Sequence, residues 1–192
     1  MGTIKIGSSN NRKGITINPS TVIFNGNNVD KIMKNTTTIW ENIKALIPTM
    51  TSNSAPSGNA SGSSIITSDF DYYKAFDKKD TTFWCSGGGA TTNQYLKYKF
   101  DNAACVKKVV LKNHSDSSRL ASPKNFRIEA SNDNTNWDII GTFLNTNNDA
   151  FAEMEFALSN STYYLYYRIY VNDRNGSYNA ITIGELQYYG KQ

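Results

Sequence analysis

The chain has 192 residues and a net charge of +4, with 19% charged and 12% aromatic residues. That aromatic content is enough to bury a core, which excludes a wholly disordered chain. No run of about 18 apolar residues exists to span a membrane, and two cysteines, Cys85 and Cys105, cannot build a disulfide framework or a four-thiolate zinc site. The polarity comes from neutral groups, above all 24 asparagines. Few Leu and Ala beside many Asn, Thr, Ser, Tyr and Val favour strands and loops over helices.

The opening MGTIKIGSSNNRKG lacks the apolar segment of a secretory signal. With no oxidising compartment indicated, Cys85 and Cys105 read as two buried thiols, with one disulfide as the alternative. Residues 1–47 read as a small β-rich unit. Thr3–Ile6 and Gly14–Ile17 alternate, and Val22-Ile23-Phe24 runs into the hairpin composition Asn25-Gly26-Asn27-Asn28. Val29–Met33 is expected to pair with Thr37–Trp40, and Glu41–Ile47 to form a helical turn stopped by Pro48. About 47 residues make a marginal core, so this unit needs a partner or oligomerises. It holds six basic and two acidic residues, whereas the rest of the chain holds 14 of each sign. A neutral main domain lacks the electrostatic footprint of a nucleic-acid binder.

Residues 48–64, PTMTSNSAPSGNASGSS, carry no charge and read as a connector whose second half becomes an edge strand if it docks. Residues 65–192 then show at least seven strand candidates. These are Tyr95–Phe100, Cys105–Lys112, Phe126–Ala130, Ile139–Leu144, Phe151–Leu158, Tyr163–Val171 and Ile181–Tyr189, separated by polar turn clusters. Many short alternating strands predict an all-β, antiparallel β-sandwich or barrel.

Four segments in register carry a resemblance: KAFDKKDTTFW (74–84), SNDNTNW (131–137), YYRIYV (166–171) and ITIGELQYYG (181–190). In this order and spacing they resemble the discoidin family, the coagulation factor 5/8 C-type domain, over roughly residues 48–190. Two departures are Lys78-Lys79, where the family often has Gly, and Asn134, where its S-x-D-G-x-x-W turn has Gly. Asn tolerates the left-handed backbone Gly would adopt. The resemblance implies a galactose-binding-like jelly roll and a structural calcium ion. Mapped here, the ion is held by the Asp77 and Glu185 carboxylates, by Thr82, and by the carbonyls of Lys74, Lys79 and Gly184. Hard oxygens of this kind are what calcium requires. Trp84 and Trp137 fall at core positions of the family.

Ligands of such domains meet loops at one end of the sandwich. Sugar recognition needs planar polar groups and an aromatic face. Four segments qualify: Asp69–Tyr73, Cys85–Asn93, Asn113–Arg119 and Asn172–Asn179. The candidate ligand contacts are His114, Arg174, Tyr178, Arg119, Tyr72 and Asn93. No catalytic constellation accompanies them: His114 with Asp116 lacks a nucleophile, Glu153 and Glu155 share a strand face, and no phosphate loop or HExxH is present.

Residues 22–42, VIFNGNNVDKIMKNTTTIWEN, resemble short modules of tailed-phage virion proteins. This resemblance implies an extracellular-facing virion location without a secretory signal. Residues 1–47 would contact other virion proteins, and the sandwich would display a face for a cell-surface glycan. A virion protein binding another protein, and an anionic-lipid binder with apolar loop spikes, are the alternatives.

Overall fold

The computed structural model describes strand residues 3–6, 13–17, 22–24, 27–29, 31–34 and 37–41 by their backbone, and residues 42–114, 116 and 119–192 in full. The chain divides into two compact units, Met1–Lys44 and Ala45–Gln192.

In the first unit β1 (Thr3–Ile6), β2 (Lys13–Ile17), β3 (Val22–Phe24) and β4 (Asn27–Val29) form an antiparallel sheet in that order. A separate hairpin joins β5 (Lys31–Lys34) to β6 (Thr37–Glu41). Both pairings follow the alternation in the sequence. The turns at Asn25-Gly26 and Asn35-Thr36 lie outside the described residues. The helical turn expected over 41–47 does not form. Strand β6 runs to Glu41 and Lys44–Ala45 makes a short strand, β7.

The second unit is a β-sandwich hinged on one strand. After β8 (Asn59–Gly62), β9 (Trp84–Cys85) and the 19-residue β10 (Gln94–Lys112) come β11 (Pro123–Ser131), β12 (Asp138–Leu144) and β13 (Glu153–Ala157). The unit closes with β14 (Tyr164–Arg174), β15 (Thr182–Ile183) and β16 (Glu185–Lys191). The first half of β10 lies between β14 and β8, and its second half lies between β16 and β13. The strand therefore passes from one layer to the other. The two strands expected at 95–100 and 105–112 are one strand, with an irregular register between Lys99 and Ala104.

Alternation explains which residues fill the sandwich. Leu96, Tyr98, Phe100, Ala104 and Val106 are buried at even positions, whereas Val109 and Leu111 are buried at odd ones. The register slips by one residue between Val106 and Lys108 opposite β16. A one-residue bulge flips every later side chain to the other face. Phe126, Ile128, Tyr167, Ile169, Leu186 and Tyr188 complete the core.

Residues 48–64 are part of this domain and not a free connector. Ile47, Met50 and Ala60 are buried in the core, and the Tyr98 hydroxyl donates to the Ser57 carbonyl at 2.8 Å. Strand β8 is the docked strand expected of the second half. Cys85 and Cys105 are separate buried thiols, and burial raises the Cys85 thiol to about 11, so it stays protonated at neutral pH.

One buried polar junction joins the two ends of the sheet crossover. The Tyr167 hydroxyl donates to the Ala104 carbonyl (2.8 Å) and accepts from Asn160 Nδ2 (3.1 Å) and the Val106 N–H (3.3 Å). Tyr167→Phe orphans buried backbone groups at the crossover and is expected to cost about 2 kcal/mol in urea unfolding. A loss below about 0.5 kcal/mol would show that the junction is not needed.

Candidate functional site

The first constellation is a buried carboxylate pair. A 3-10 turn over Tyr72–Ala75 leads into the fully buried Phe76, which fixes the start of the 77–82 turn. Lys78 takes φ 57, the left-handed conformation that a glycine would supply there. Asp77 and Glu185 are only 2% and 7% exposed. The Lys79 N–H donates to both, at 3.1 Å to Asp77 Oδ1 and 3.1 Å to Glu185 Oε1. Thr82 Oγ1 lies 2.8 and 2.9 Å from the two Asp77 oxygens, and Gln187 Nε2 donates to Glu185 Oε2 at 3.3 Å.

Glu185 reaches this position because Gly184 precedes it. A Cβ on Gly184 would sit 2.7 Å from the Asn113 carbonyl carbon, 2.7 Å from the His114 nitrogen and 2.8 Å from the Lys112 oxygen. Gly190 serves the same strand in the same way, since its Cβ would meet the Cys105 oxygen at 2.0 Å. Both glycines of ITIGELQYYG thus permit backbone contact with β10.

Neither Asp77 nor Glu185 has a lysine or arginine partner among the described residues. Lys112 pairs with Asp80 instead, at 2.6 Å. Burial, and then the charge of Asp77, raises the Glu185 carboxyl to about 8. Two buried carboxylates without a counter-charge, a hydroxyl and nearby turn carbonyls make a hard-oxygen donor set that fits calcium. Among the described residues no three His, Cys, Asp or Glu side chains converge. A cation here would need most of its ligands from Thr82 and from the Lys74, Lys79 and Gly184 carbonyls.

The second constellation lies beside it. Phe83 stacks on the His114 ring at 3.9 Å between centroids, and Phe70 tilts against Phe83 at 4.8 Å. The Arg119 guanidinium lies 5.5 Å from the Phe70 ring, and Tyr178 packs on the same Phe83 cluster. Of the sequence-stated contacts, the fold therefore gathers His114, Arg119 and Tyr178.

His114 does not present a free ring nitrogen as expected. It is 1% exposed. Its Nδ1 accepts from the Asp116 N–H at 3.0 Å, which leaves Nε2 protonated and 3.1 Å from the Arg119 carbonyl. Burial lowers its pKa, so the neutral form dominates. His114 positions the loop that carries Arg119. The Arg119 side chain is 44% exposed and holds Asp116 at 3.3 Å.

Arg174, expected in the 172–179 loop, is instead the last residue of β14, and its Nη1 donates to the Gly176 carbonyl of the loop that follows. Its Nε is buried with no hydrogen-bond partner among the described residues, so this donor lacks an acceptor. The loop is tied down by Asn175 Nδ2, which donates to Ser122 Oγ (3.1 Å) and the Asn145 carbonyl (3.0 Å). Tyr72 does not join the cluster. Its ring lies against Gly62 of β8, where an added Cβ would fall 2.7 Å from Cε1. Asn93 is exposed at φ 54 just before β10.

Sequence reasoning missed three aromatic groups here. Phe70 sits in the segment read for Tyr72 and Tyr73, and Phe83 in the 74–84 motif read for its cation ligands. Phe151 was assigned to a strand, but β13 begins only at Glu153. Phe151 takes φ 60, is 50% exposed, and donates its N–H to the His114 carbonyl at 3.3 Å. A non-glycine side chain in left-handed backbone costs free energy that the surrounding contacts must offset. The available signal was one Phe two residues after the polar run Asn145–Asp149.

Trp84 is fully buried, and its indole donates to the Ser64 carbonyl at 3.1 Å. Trp137 is different: it lies half-buried on a sheet face, with the Arg168 guanidinium 3.9 Å above its ring. The preceding turn has the expected form. Asn134 takes φ 61, and Ser131 Oγ accepts from the Asn134 N–H at 2.9 Å. Backbone and side-chain donors from Asn136 hold the Asp133 carboxyl well below the usual range.

The F5/8 type C domain model matches residues 57–186. Chitosan-binding module 1 of a Paenibacillus sp. IK-5 chitosanase/glucanase is 25% identical, with 72% of this chain and 99% of that one covered at a TM-score of 0.59. The family 32 carbohydrate-binding module of Clostridium perfringens NanJ, solved with galactose, is 18% identical, covering 69% and 93% at 0.59. The C-terminal domain of a Bacteroides fragilis chitobiase is 22% identical, covering 77% and 98% at 0.60. The comparison with curated proteins found no match.

Proposed function

The chain belongs to the F5/8 type C domain family, and from that premise we propose that residues 45–192 act as a non-catalytic carbohydrate-binding module. The observation that carries this reading is the loop-end cluster of Phe70, Phe83, Arg119, Tyr178 and Phe151 around the buried His114. Aromatic faces accept the C–H side of a sugar ring, and the Arg119 and Arg174 N–H groups match its hydroxyls. Neighbours solved as a chitosan-binding module and with galactose support the ligand class.

A calcium ion belongs to the same reading. Asp77, Thr82 and Glu185 would hold it with the Lys74, Lys79 and Gly184 carbonyls. When bound, it supplies the positive charge that lets Glu185 stay ionised. That in turn fixes the 77–82 turn against Gly184, next to the backbone of Asn113 and His114. Residues 1–44 attach the module to a virion, a role supported by the resemblance of residues 22–42 to phage modules. Display in many copies would raise avidity without new contacts.

A glycan array with wild type, Arg119→Ala and Phe151→Ala tests the module. Each variant is expected to lose at least about tenfold in affinity, since each removes a contact of about 1.4 kcal/mol or more, with an unchanged melting temperature. No binding to any glycan or cell-wall preparation would overturn the reading. The exposed Phe151 also favours one alternative, an apolar spike for anionic lipid. Phosphatidylserine-dependent liposome flotation that is lost in Phe151→Ala would promote it.

A further inference from the structure

The outer face of the β10–β14–β11 sheet carries a grid that the loop-end site does not use. Cross-strand register sets it out in rows. Tyr95 of β10 lies opposite Tyr170 of β14, which lies opposite Arg127 of β11. In the next row Lys97 faces Arg168, which faces Glu129. In the third, Lys99 faces Tyr166. All these side chains share one face because they are two residues apart along each strand.

Contacts within the grid fix its cations in place. Both Arg127 and Arg168 donate through Nε to Glu129, one to each carboxylate oxygen. The Arg127 guanidinium lies 3.9 Å from the Tyr170 ring, and that of Arg168 lies 3.9 Å from Trp137 and 5.0 Å from Tyr95. Lys97 and Lys99 each lie 5.8 Å from the Tyr166 ring. Lys97 Nζ is also held by Asn134 Oδ1 at 2.7 Å. Arg127 Nη1 also donates to Asn172 Oδ1 at 3.2 Å, so a guanidinium anchored by Nε and by an aromatic face offers its remaining Nη donors to a second partner, with its orientation already set.

The charge of this face departs from that of the domain. Residues 45–192 hold 14 basic and 14 acidic residues, yet the grid sets Lys97, Lys99, Arg127 and Arg168 against Glu129 alone. Glu129 is 3% exposed and lies beneath the guanidinium groups. The surface presented outward is therefore cationic and aromatic. With rows about 7 Å apart and strands about 4.8 Å apart, this open sheet face suits an extended polymer and not an enclosed small molecule.

We propose that this sheet face binds a carboxylate-bearing polysaccharide, with Lys97, Lys99 and the Arg127 and Arg168 Nη groups meeting its carboxylates and Tyr166, Tyr170 and Trp137 meeting its sugar rings. Charge complementarity selects an anionic occupant. Tyrosine rings with hydroxyls select sugars, since each offers a C–H-binding face and a hydrogen-bonding edge.

Affinity electrophoresis of the full chain in gels containing polygalacturonate, dextran or no polymer tests this. Wild type is expected to be retarded by polygalacturonate and not by dextran, and the retardation to fall with added salt. The double variant Lys97→Gln/Lys99→Gln should weaken it at least tenfold with an unchanged melting curve, and Tyr166→Ala should weaken it as well. Arg119→Ala should leave it intact, which separates this face from the loop-end site. Absence of retardation, equal retardation of the lysine variant, or loss in Arg119→Ala alone would overturn the proposal. So would tighter binding of a single-stranded oligonucleotide than of polygalacturonate.

Discussion

Chelating divalent cations at pH 8 is expected to lower the melting temperature of the domain by about 10 °C, and at pH 5 to change it little. The reason is Glu185, whose carboxyl is raised from 4.5 to about 8 by burial and by Asp77. In the cation-free protein the folded state holds this proton more tightly than the unfolded chain does. Stability is therefore full below pH 4.5 and falls as the pH rises toward 8. At about 1.4 kcal/mol per pH unit the loss reaches up to about 5 kcal/mol, and 1 kcal/mol moves a domain of this size by about 2–4 °C. Calcium bound there would replace the proton and remove the loss. Glu185→Gln should abolish both the pH trend and the chelator effect, and at pH 8 without calcium it should melt above wild type. Identical wild-type melting curves with and without chelator at pH 8 would remove calcium from the account.

Glu129→Ala is expected to cost about 3 kcal/mol, read as a fall of about 6–12 °C in melting temperature. The carboxylate is buried between two guanidinium groups whose side chains are themselves mostly covered. Removing it leaves two cations facing each other with their aromatic partners and no counter-charge. Glu129→Gln should recover part of the loss, because an amide oxygen still accepts one Nε–H. A melting shift below about 2 °C for Glu129→Ala would show that solvent takes over the role of the carboxylate. In that case the guanidinium groups are not held rigid as the polysaccharide proposal requires.

The strands were legible because each half-buried strand writes its own alternation. β11, β12, β14 and the hairpin of β5 and β6 fall within a few residues of the expected spans. The 77–82 turn was legible through the family resemblance, and its hydrogen bonds are local, with only Glu185 coming from far along the chain. The left-handed Asn134 likewise stands where the family has Gly. The loops were less legible. His114 has the residue type of a sugar contact, but its direction depends on Phe83 and on the carbonyl of Arg119. Phe151 looked like the first residue of a strand, and only its φ of 60 turns it outward.

By itself, then, the sequence determined an all-β domain and its strand spans, because each rests on alternation within a few residues; the acidic turn came with the family resemblance, and the cysteines were left open between two thiols and one disulfide. Only the tertiary structure decided that residues 48–64 are domain and not connector, since Met50 and Ala60 find their cavity among strands that follow them. It alone decided that Trp137 faces outward with Arg168 and that Tyr95, Tyr166 and Tyr170 line up across strands. Alternation says that a side chain points to one face or the other. Which face becomes the core, and which rows become neighbours, is set by pairings between distant strands and by the bulge that flips β10.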